Sequence, residues 1–187
     1  MSLALGDASD AELVALARGG GQAAYRALTE RYRDGVYRLA RSATGDAEEA
    51  FDVTQEAFIS AFGALAAYDP ARPFRAWIAR IALNKARDAM RRRAVRRLFS
   101  YAMPDAAIET ADPACPIDVA LADRQELARA SAAIADLPTR LKEVLLLRTV
   151  EGMSQAETAA ALRISDKAVE TRLYRARKTL SSALGTN

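Results

Sequence analysis

The sequence predicts an all-α protein: two small helical bundles joined by an acidic flexible linker, the C-terminal one containing a helix-turn-helix. Three observations carry this. The 187-residue chain is 51% hydrophobic, much of it alanine, which with leucine favours helix, and no alternating apolar run is long enough for a strand. Capping boxes, Ser9 with Glu12 and Ser154 with Glu157, mark helix starts in both halves. Between them, "SYAMPDAAIETADPACPIDVA" has three prolines, four acids, no base and no helical period.

Taken in order, a short helix begins near Asp10 and ends at Gly19-Gly20-Gly21. A second runs from about Gln22 to Ala43, with Tyr25, Leu28, Tyr32, Val36 and Leu39 as its apolar stripe. Asp46 with Glu49 caps a third helix reaching about Ala66, its buried side expected from Phe51, Phe58, Ile59, Phe62 and Leu65. Pro70 and Pro73 break that helix, and a fourth carries "FRAWIARIALNKARDAMRRR". The N-terminal bundle is assigned to residues 1–97, the linker to 98–122 and the C-terminal bundle to 123–187. In the last, helices are expected near Asp123, over Pro138 to Val150, over Ser154 to Leu162, and from Asp166 to about Ala183. The break at Arg163-Ile164-Ser165 is short enough for a helix-turn-helix.

No stretch approaches the roughly 20 apolar residues that span a membrane, and the N-terminus lacks the basic start and apolar core of a signal peptide. The expected compartment is the cytoplasm. One cysteine, Cys115, excludes an internal disulfide, and the absence of histidine argues against zinc sites and histidine-based catalysis. No metal, cofactor or enzymatic role is expected. The net charge is only +3, but it is segregated. Ala43 to Glu56 has five acids and no base, Arg72 to Arg97 ten bases and one acid, Leu98 to Asp123 five acids and no base. Such blocks suggest different partners for different patches, a basic surface for one and a polyanion for the next.

On the fourth helix, Trp77, Arg80, Asn84, Arg87 and Arg91 fall on one stripe, with Phe74, Ile78, Ile81 and Lys85 on the other side. A ring to stack on, arginines to follow phosphates and an amide to bond base edges suit nucleic acid with exposed bases. On the last helix, Val169, Leu173, Ala176 and Leu180 form the inner stripe. The outer face offers Lys167, Thr171, Tyr174, Arg175 and Lys178, flanked by Glu170, Arg172 and Arg177. Arginines there can read guanine edges in a major groove, and lysines suit phosphates. Upstream, Asp52, Gln55, Glu56 and Phe58 lie close together on one helix, a negative patch that repels DNA and suits a basic protein surface.

The motifs "DVTQEAF", "FRAWIARIALNKARD" and "LPTRLKEVLLLRTVEGMSQAETAAALRISDKAVETRLYRAR", in this order across a linker, resemble a bacterial RNA polymerase sigma factor of the extracytoplasmic-function (ECF) group of the sigma-70 family. The likeness covers about Asp10 to Leu180. It implies a transcription initiation factor that binds core polymerase, recognises −35 and −10 promoter elements, promotes melting, answers stress and is held by an anti-sigma factor. The Asp52, Gln55, Glu56, Phe58 patch would meet the β′ clamp helices. "AYDPARPF", with Tyr68, Asp69, Arg72 and Phe74, would receive a flipped −10 base beside Trp77, Arg80, Asn84, Arg87 and Arg91. Ser165, Lys167, Glu170, Thr171, Arg172, Arg175, Arg177 and Lys178 would read the −35 element, and the second bundle would also bind the β flap. The linker would pass near the RNA path. Relatives often carry a base where Glu170 precedes Thr171, so their −35 specificity does not transfer directly. A helix-turn-helix regulator acting alone on duplex DNA accounts for the second bundle but not for the acidic patch or the Trp77 row.

Overall fold

Four of the described helices start where a side chain holds a free backbone N–H group: Ser9, Asp46, Ser154 and Ser165 are the caps. The computed structural model describes residues 5–101 and 129–185. Ser9 and Glu12 close the expected capping box on α1 (Asp10–Arg18). Helix α2 (Gln22–Thr44) ends at Gly45, whose left-handed φ of 76° favours glycine. Asp46 accepts from Glu49 N at the start of α3 (Ala47–Gly63). A single 3-10 turn, Leu65–Ala67, finishes what reads in sequence as helix to Ala66. Helix α4 (Phe74–Tyr101) starts after Pro73 and continues four residues past the expected boundary at 97. The rest of the acidic segment, Cys115 and the helix start near Asp123 lie outside the described residues.

In the C-terminal half, α5 (residues 129–135) leads into α6 (Thr139–Thr149), α7 (Gln155–Leu162) and α8 (Asp166–Leu184). The second capping box, Ser154 with Glu157, is formed at α7. Arg163 closes α7 at φ 54°, where glycine is the usual residue. Among the described residues the chain is entirely helical, in two bundles.

Helices α2, α3 and α4 pack around Leu28, Leu39, Val53, Ala57, Phe74 and Ile78, and α1 closes one end with Leu13 and Val14. The small face of α3, with Ala50, Val53, Thr54, Ala57 and Ala61, turns inward. Of the expected buried side, Phe58 and Leu65 are buried and Phe62 packs against the core, but Phe51 is 58% and Ile59 71% exposed, a correction. Small residues let α3 approach α2 and α4 closely, which leaves Phe51 and Ile59 at the rim. In the second bundle Val169 and Ala176 are fully buried, and Leu173 and Leu180 pack beside them, so α8 turns its expected stripe inward. The two bundles also meet. Leu146, Leu147, Met153 and Ala161 belong to the same continuous core as the N-terminal helices, with α7 against α4 and α6 against α2.

Candidate nucleic-acid interface

The loop before α4 is held by backbone acceptors and one arginine. Arg18 donates through Nε to Leu65 O at 3.1 Å and through Nη2 to Ala66 O at 3.3 Å. Leu65 O also accepts from Tyr68 N at 3.1 Å, so Arg18 adds a second donor where the helical turn ends. The Tyr68 hydroxyl donates to Arg72 O, and Asp69 Oδ1 accepts from Ala71 N at 3.0 Å. Asp69 also lies 3.5 Å from Arg72 Nε. The loop is therefore shaped from within.

Behind it, Phe74 centres an aromatic cluster. Its ring lies 5.3 Å from Tyr32, 5.5 Å from Tyr68 and 5.4 Å from Trp77, within the range of favourable ring pairs. Phe74 and Tyr68 are buried, so they cannot touch nucleic acid in this arrangement. They support Trp77, which is half-buried at the edge. Burial and Asp10, which accepts the Tyr32 hydroxyl, push the Tyr32 phenol up, leaving it a neutral donor.

Trp77, Arg80 and Asn84 line one cleft together with Ile81, which the sequence stripe had assigned to the opposite side. Ile81 follows Trp77 by four residues and therefore shares its face. Burial, followed by the nearby Arg163, Arg72 and Arg87, lowers the Arg80 pKa. No acid is paired with Arg80 among the described residues. Asn84 is exposed, Arg87 is paired with Glu143, and Arg91 is exposed 4.0 Å from Asp88.

The acidic patch divides. Asp52 and Gln55 face solvent beside Phe51 and Ile59, but Glu56 turns to α4, 3.7 Å from Lys85 Nζ and 3.5 Å from Arg92 Nη2. Phe58 is buried, 7% exposed, and contributes only to the wall of a groove between α2 and α3. Thr29, Arg33 and Tyr37 form the α2 side of that groove; Phe51, Gln55 and Ile59 form the other. The sequence reading missed Phe51, Ile59 and the α2 residues. The signal was the alanine-rich face of α3, which marks the side that packs closely. Arg93 lies 3.6 Å from Glu49 and 3.9 Å from Asp46, so part of the charge segregation is matched within the bundle.

On α8 the outer face is open. Lys167, Glu170, Tyr174, Arg175, Arg177 and Lys178 are exposed, and Thr171 and Arg172 are half-buried. Ser165 is the helix cap, accepting from Ala168 N at 3.2 Å. Lys167 and Glu170 pair at 3.0 Å, and Thr171 donates to Lys167 O at 2.8 Å. Gln155 Nε2 donates to Asp166 O at 3.0 Å, tying the start of α7 to the start of α8. A basic helix is thus presented on a helix-turn-helix frame, the arrangement that enters a major groove.

Comparison with known proteins agrees with this geometry. The model of sigma-70 region 2 matches residues 28–96, and that of sigma-70 region 4 matches residues 127–180. The chain is 41% identical over 181 residues to the RNA polymerase sigma factor CnrH of Cupriavidus metallidurans, covering 94% of each chain. It is 33% identical to the RNA polymerase sigma-H factor of Pseudomonas aeruginosa, covering 94% of this chain and 93% of that one. It is 29% identical to the ECF sigma factor SigW of Bacillus subtilis, covering 88% of this chain and 91% of that one. A solved structure of CnrH in complex with the cytosolic domain of CnrY superimposes with a TM-score of 0.71 at 37% identity, covering 95% of this chain and 98% of that chain. With both regions matched in order around one linker, this chain belongs to the ECF group of the sigma-70 family of RNA polymerase sigma factors.

Proposed function

We propose that the chain acts as a stress-responsive alternative sigma factor in the cytoplasm. It joins core RNA polymerase, docks the −35 element through α8, and opens and reads the −10 element through α4 and its preceding loop. The observation that carries this is the cleft of Trp77, Arg80 and Asn84 beside a loop shaped by its own hydrogen bonds. Stacking and base-edge contacts become available only when bases leave the duplex, so this cleft suits melted DNA. The α2–α3 groove is mostly apolar, with Arg33, Asp34 and Gln55 in its lining and exposed Asp52 next to Phe51; it suits an amphipathic, basic helical partner, in the polymerase the β′ clamp helices. The assigned domains then divide the work: residues 1–97 for the clamp and −10 element, 98–122 as connector, 123–187 for the β flap and −35 element. The likeness to CnrH, solved in complex with the cytosolic domain of CnrY, supports restraint by an anti-sigma factor.

The test is runoff transcription and thymine permanganate reactivity on matched and pre-melted promoters. Asn84→Ala and Arg87→Ala should lower opening more than initial docking, and a pre-melted template should rescue Arg87→Ala more than Asn84→Ala. Undiminished permanganate reactivity in both variants on paired DNA would remove the melting role from α4. In parallel, Asp52→Lys with Ile59→Asp should abolish co-purification with core polymerase while leaving helical content intact.

A further inference from the structure

Arg18 stands in the last turn of α1, where an arginine ordinarily complements the free carbonyls of its own helix. Its guanidinium goes elsewhere. It crosses 47 to 50 positions to three carbonyls at the start of the loop before α4. Leu65 O accepts from both Nε and Nη2, at 3.1 and 3.0 Å, Ala66 O accepts at 3.3 Å, and Tyr68 O is the third acceptor. The bonds donated by Tyr68 N, Ala71 N and Arg72 N stay within the segment, and Pro70 and Pro73 have no N–H to give. Tyr68 is where the clasp reaches the cleft. Its carbonyl is held by Arg18, its hydroxyl donates to Arg72 O, and its ring lies 5.0 Å from Trp77. Trp77 and Arg72 both line the cleft, and Arg18 does not. As an exposed residue, Arg18 fills no core space.

We propose that Arg18 is a positioning residue for capture of the −10 strand: its guanidinium clasps the Leu65, Ala66 and Tyr68 carbonyls and so fixes Tyr68, which braces Trp77 and Arg72 at the cleft. A planar guanidinium satisfies several carbonyls at once in a fixed geometry, whereas an ammonium is a compact point charge on a flexible stem. Bonds from a charged donor are stronger than neutral ones, which suits a loop with few bonds of its own. Without them the loop spends only part of its time in the receiving shape, and apparent affinity for the strand falls by that fraction. The clasp acts through Tyr68 and touches no base. This rests on the assignment of single-strand capture to the cleft, but the positioning itself is measured in the chain alone.

The experiment compares Arg18→Ala and Arg18→Lys with the parent. In the free chain, acrylamide quenching of Trp77, the only tryptophan, reports the loop, and urea unfolding followed by circular dichroism reports the fold. In holoenzyme reconstituted with core polymerase, fluorescence anisotropy reports strand binding across a potassium chloride series. The probe is the labelled non-template −10 strand of a promoter that the parental holoenzyme transcribes. Arg18→Ala should raise the quenching of Trp77 and keep the unfolding midpoint and core association close to parental. It should weaken strand binding about tenfold with an unchanged salt slope, as expected if the receiving shape is populated about a tenth of the time. Arg18→Lys should keep the charge yet recover only part of both losses. Parental quenching in Arg18→Ala overturns the positioning role. A looser Trp77 with undiminished strand binding overturns its bearing on capture. Full recovery in Arg18→Lys, with a flattened salt slope in Arg18→Ala, makes Arg18 a direct phosphate contact instead. Loss of the unfolding midpoint or of core association in both variants makes it a general structural residue and overturns the proposal. Failure of the parental holoenzyme to bind the −10 strand counts against the transcription reading, while Trp77 quenching still decides the positioning.

Discussion

Helices α4 and α8 are both rich in arginine, yet they present their charge in opposite ways. In α4, Arg75, Lys85, Arg87, Arg92 and Arg93 each have an acid partner from another helix or from the loops beside them. In α8, Arg175, Arg177 and Lys178 extend from an edge helix, and the one ion pair among its described residues is the local Lys167–Glu170 contact. The difference follows from position. Helix α4 is packed by α2, α3 and α7, so many of its basic side chains meet other elements although its C-terminal half is largely exposed; α8 rests on α6 and α7 with its outer face exposed. Basic composition measures potential for binding a polyanion, and packing decides how much of it is available. Five substitutions can break or sharpen this contrast.

The largest effect on stability belongs under α4. Phe74→Ala should cost about 3–5 kcal/mol, since the ring is fully buried in the aromatic cluster. Urea unfolding with tryptophan emission measures it, because Trp77 is the chain's only tryptophan and touches Phe74. A cost below about 1 kcal/mol would mean that α4 depends on its neighbours much less than its packing indicates.

The outer face of α8 should behave in the opposite sense. Arg175→Ala should leave unfolding within about 0.5 kcal/mol of the parent, yet weaken binding to a −35 duplex by about 1–3 kcal/mol if it reads a base edge. Lys178→Ala should instead weaken all duplexes similarly and flatten the salt dependence. Equal losses for both variants on every duplex would leave α8 as a plain phosphate-binding surface.

Next comes the cap that holds α7 beneath α8. Ser154→Ala removes the acceptor of Glu157 N, 3.2 Å away, and should cost about 1 kcal/mol in thermal or urea unfolding. The Ser154 bonds hold Glu157 below the usual glutamate range. Its stabilisation is therefore present above the unfolded pKa and lost as pH falls through the lower folded value. The Ser154→Ala penalty should shrink in acid.

The smallest expected effect lies at the seam between the bundles. Burial raises the Glu151 pKa despite Arg75 on α4 and Arg38 on α2, and Glu151 Oε1 has no hydrogen-bond partner. A raised carboxyl pKa means that the folded chain binds the proton more tightly than the unfolded one. Glu151 alone should therefore add stability as pH falls from above its raised value toward the ordinary glutamate range. Glu151→Gln, already neutral, should flatten that dependence in urea unfolding measured across mildly acidic pH. A parental chain that loses stability on acidification relative to the Gln variant would reverse the sign.

Sequence by itself determined the helices and their ends, because those depend on contacts within about four residues. Ser9, Asp46, Ser154 and Ser165 each bond the backbone three residues on, Pro73 stands just before the start of α4, and Gly45 closes α2 in the left-handed region. The inner stripe of α8 was legible for the same reason: an edge helix has one buried face, and its apolar period names it. Tertiary structure decided which side of a many-sided helix is the inside. Phe51 and Ile59 are hydrophobic yet exposed because the alanine face of α3 packs more closely, and Phe74 and Tyr68 left the expected nucleic-acid surface for the core beneath it. It also decided which charges remain available. Glu56 reaches Arg92 across 36 positions and Glu143 reaches Arg87 across 56. No local period encodes such pairs; they exist only once the helices carrying them have packed.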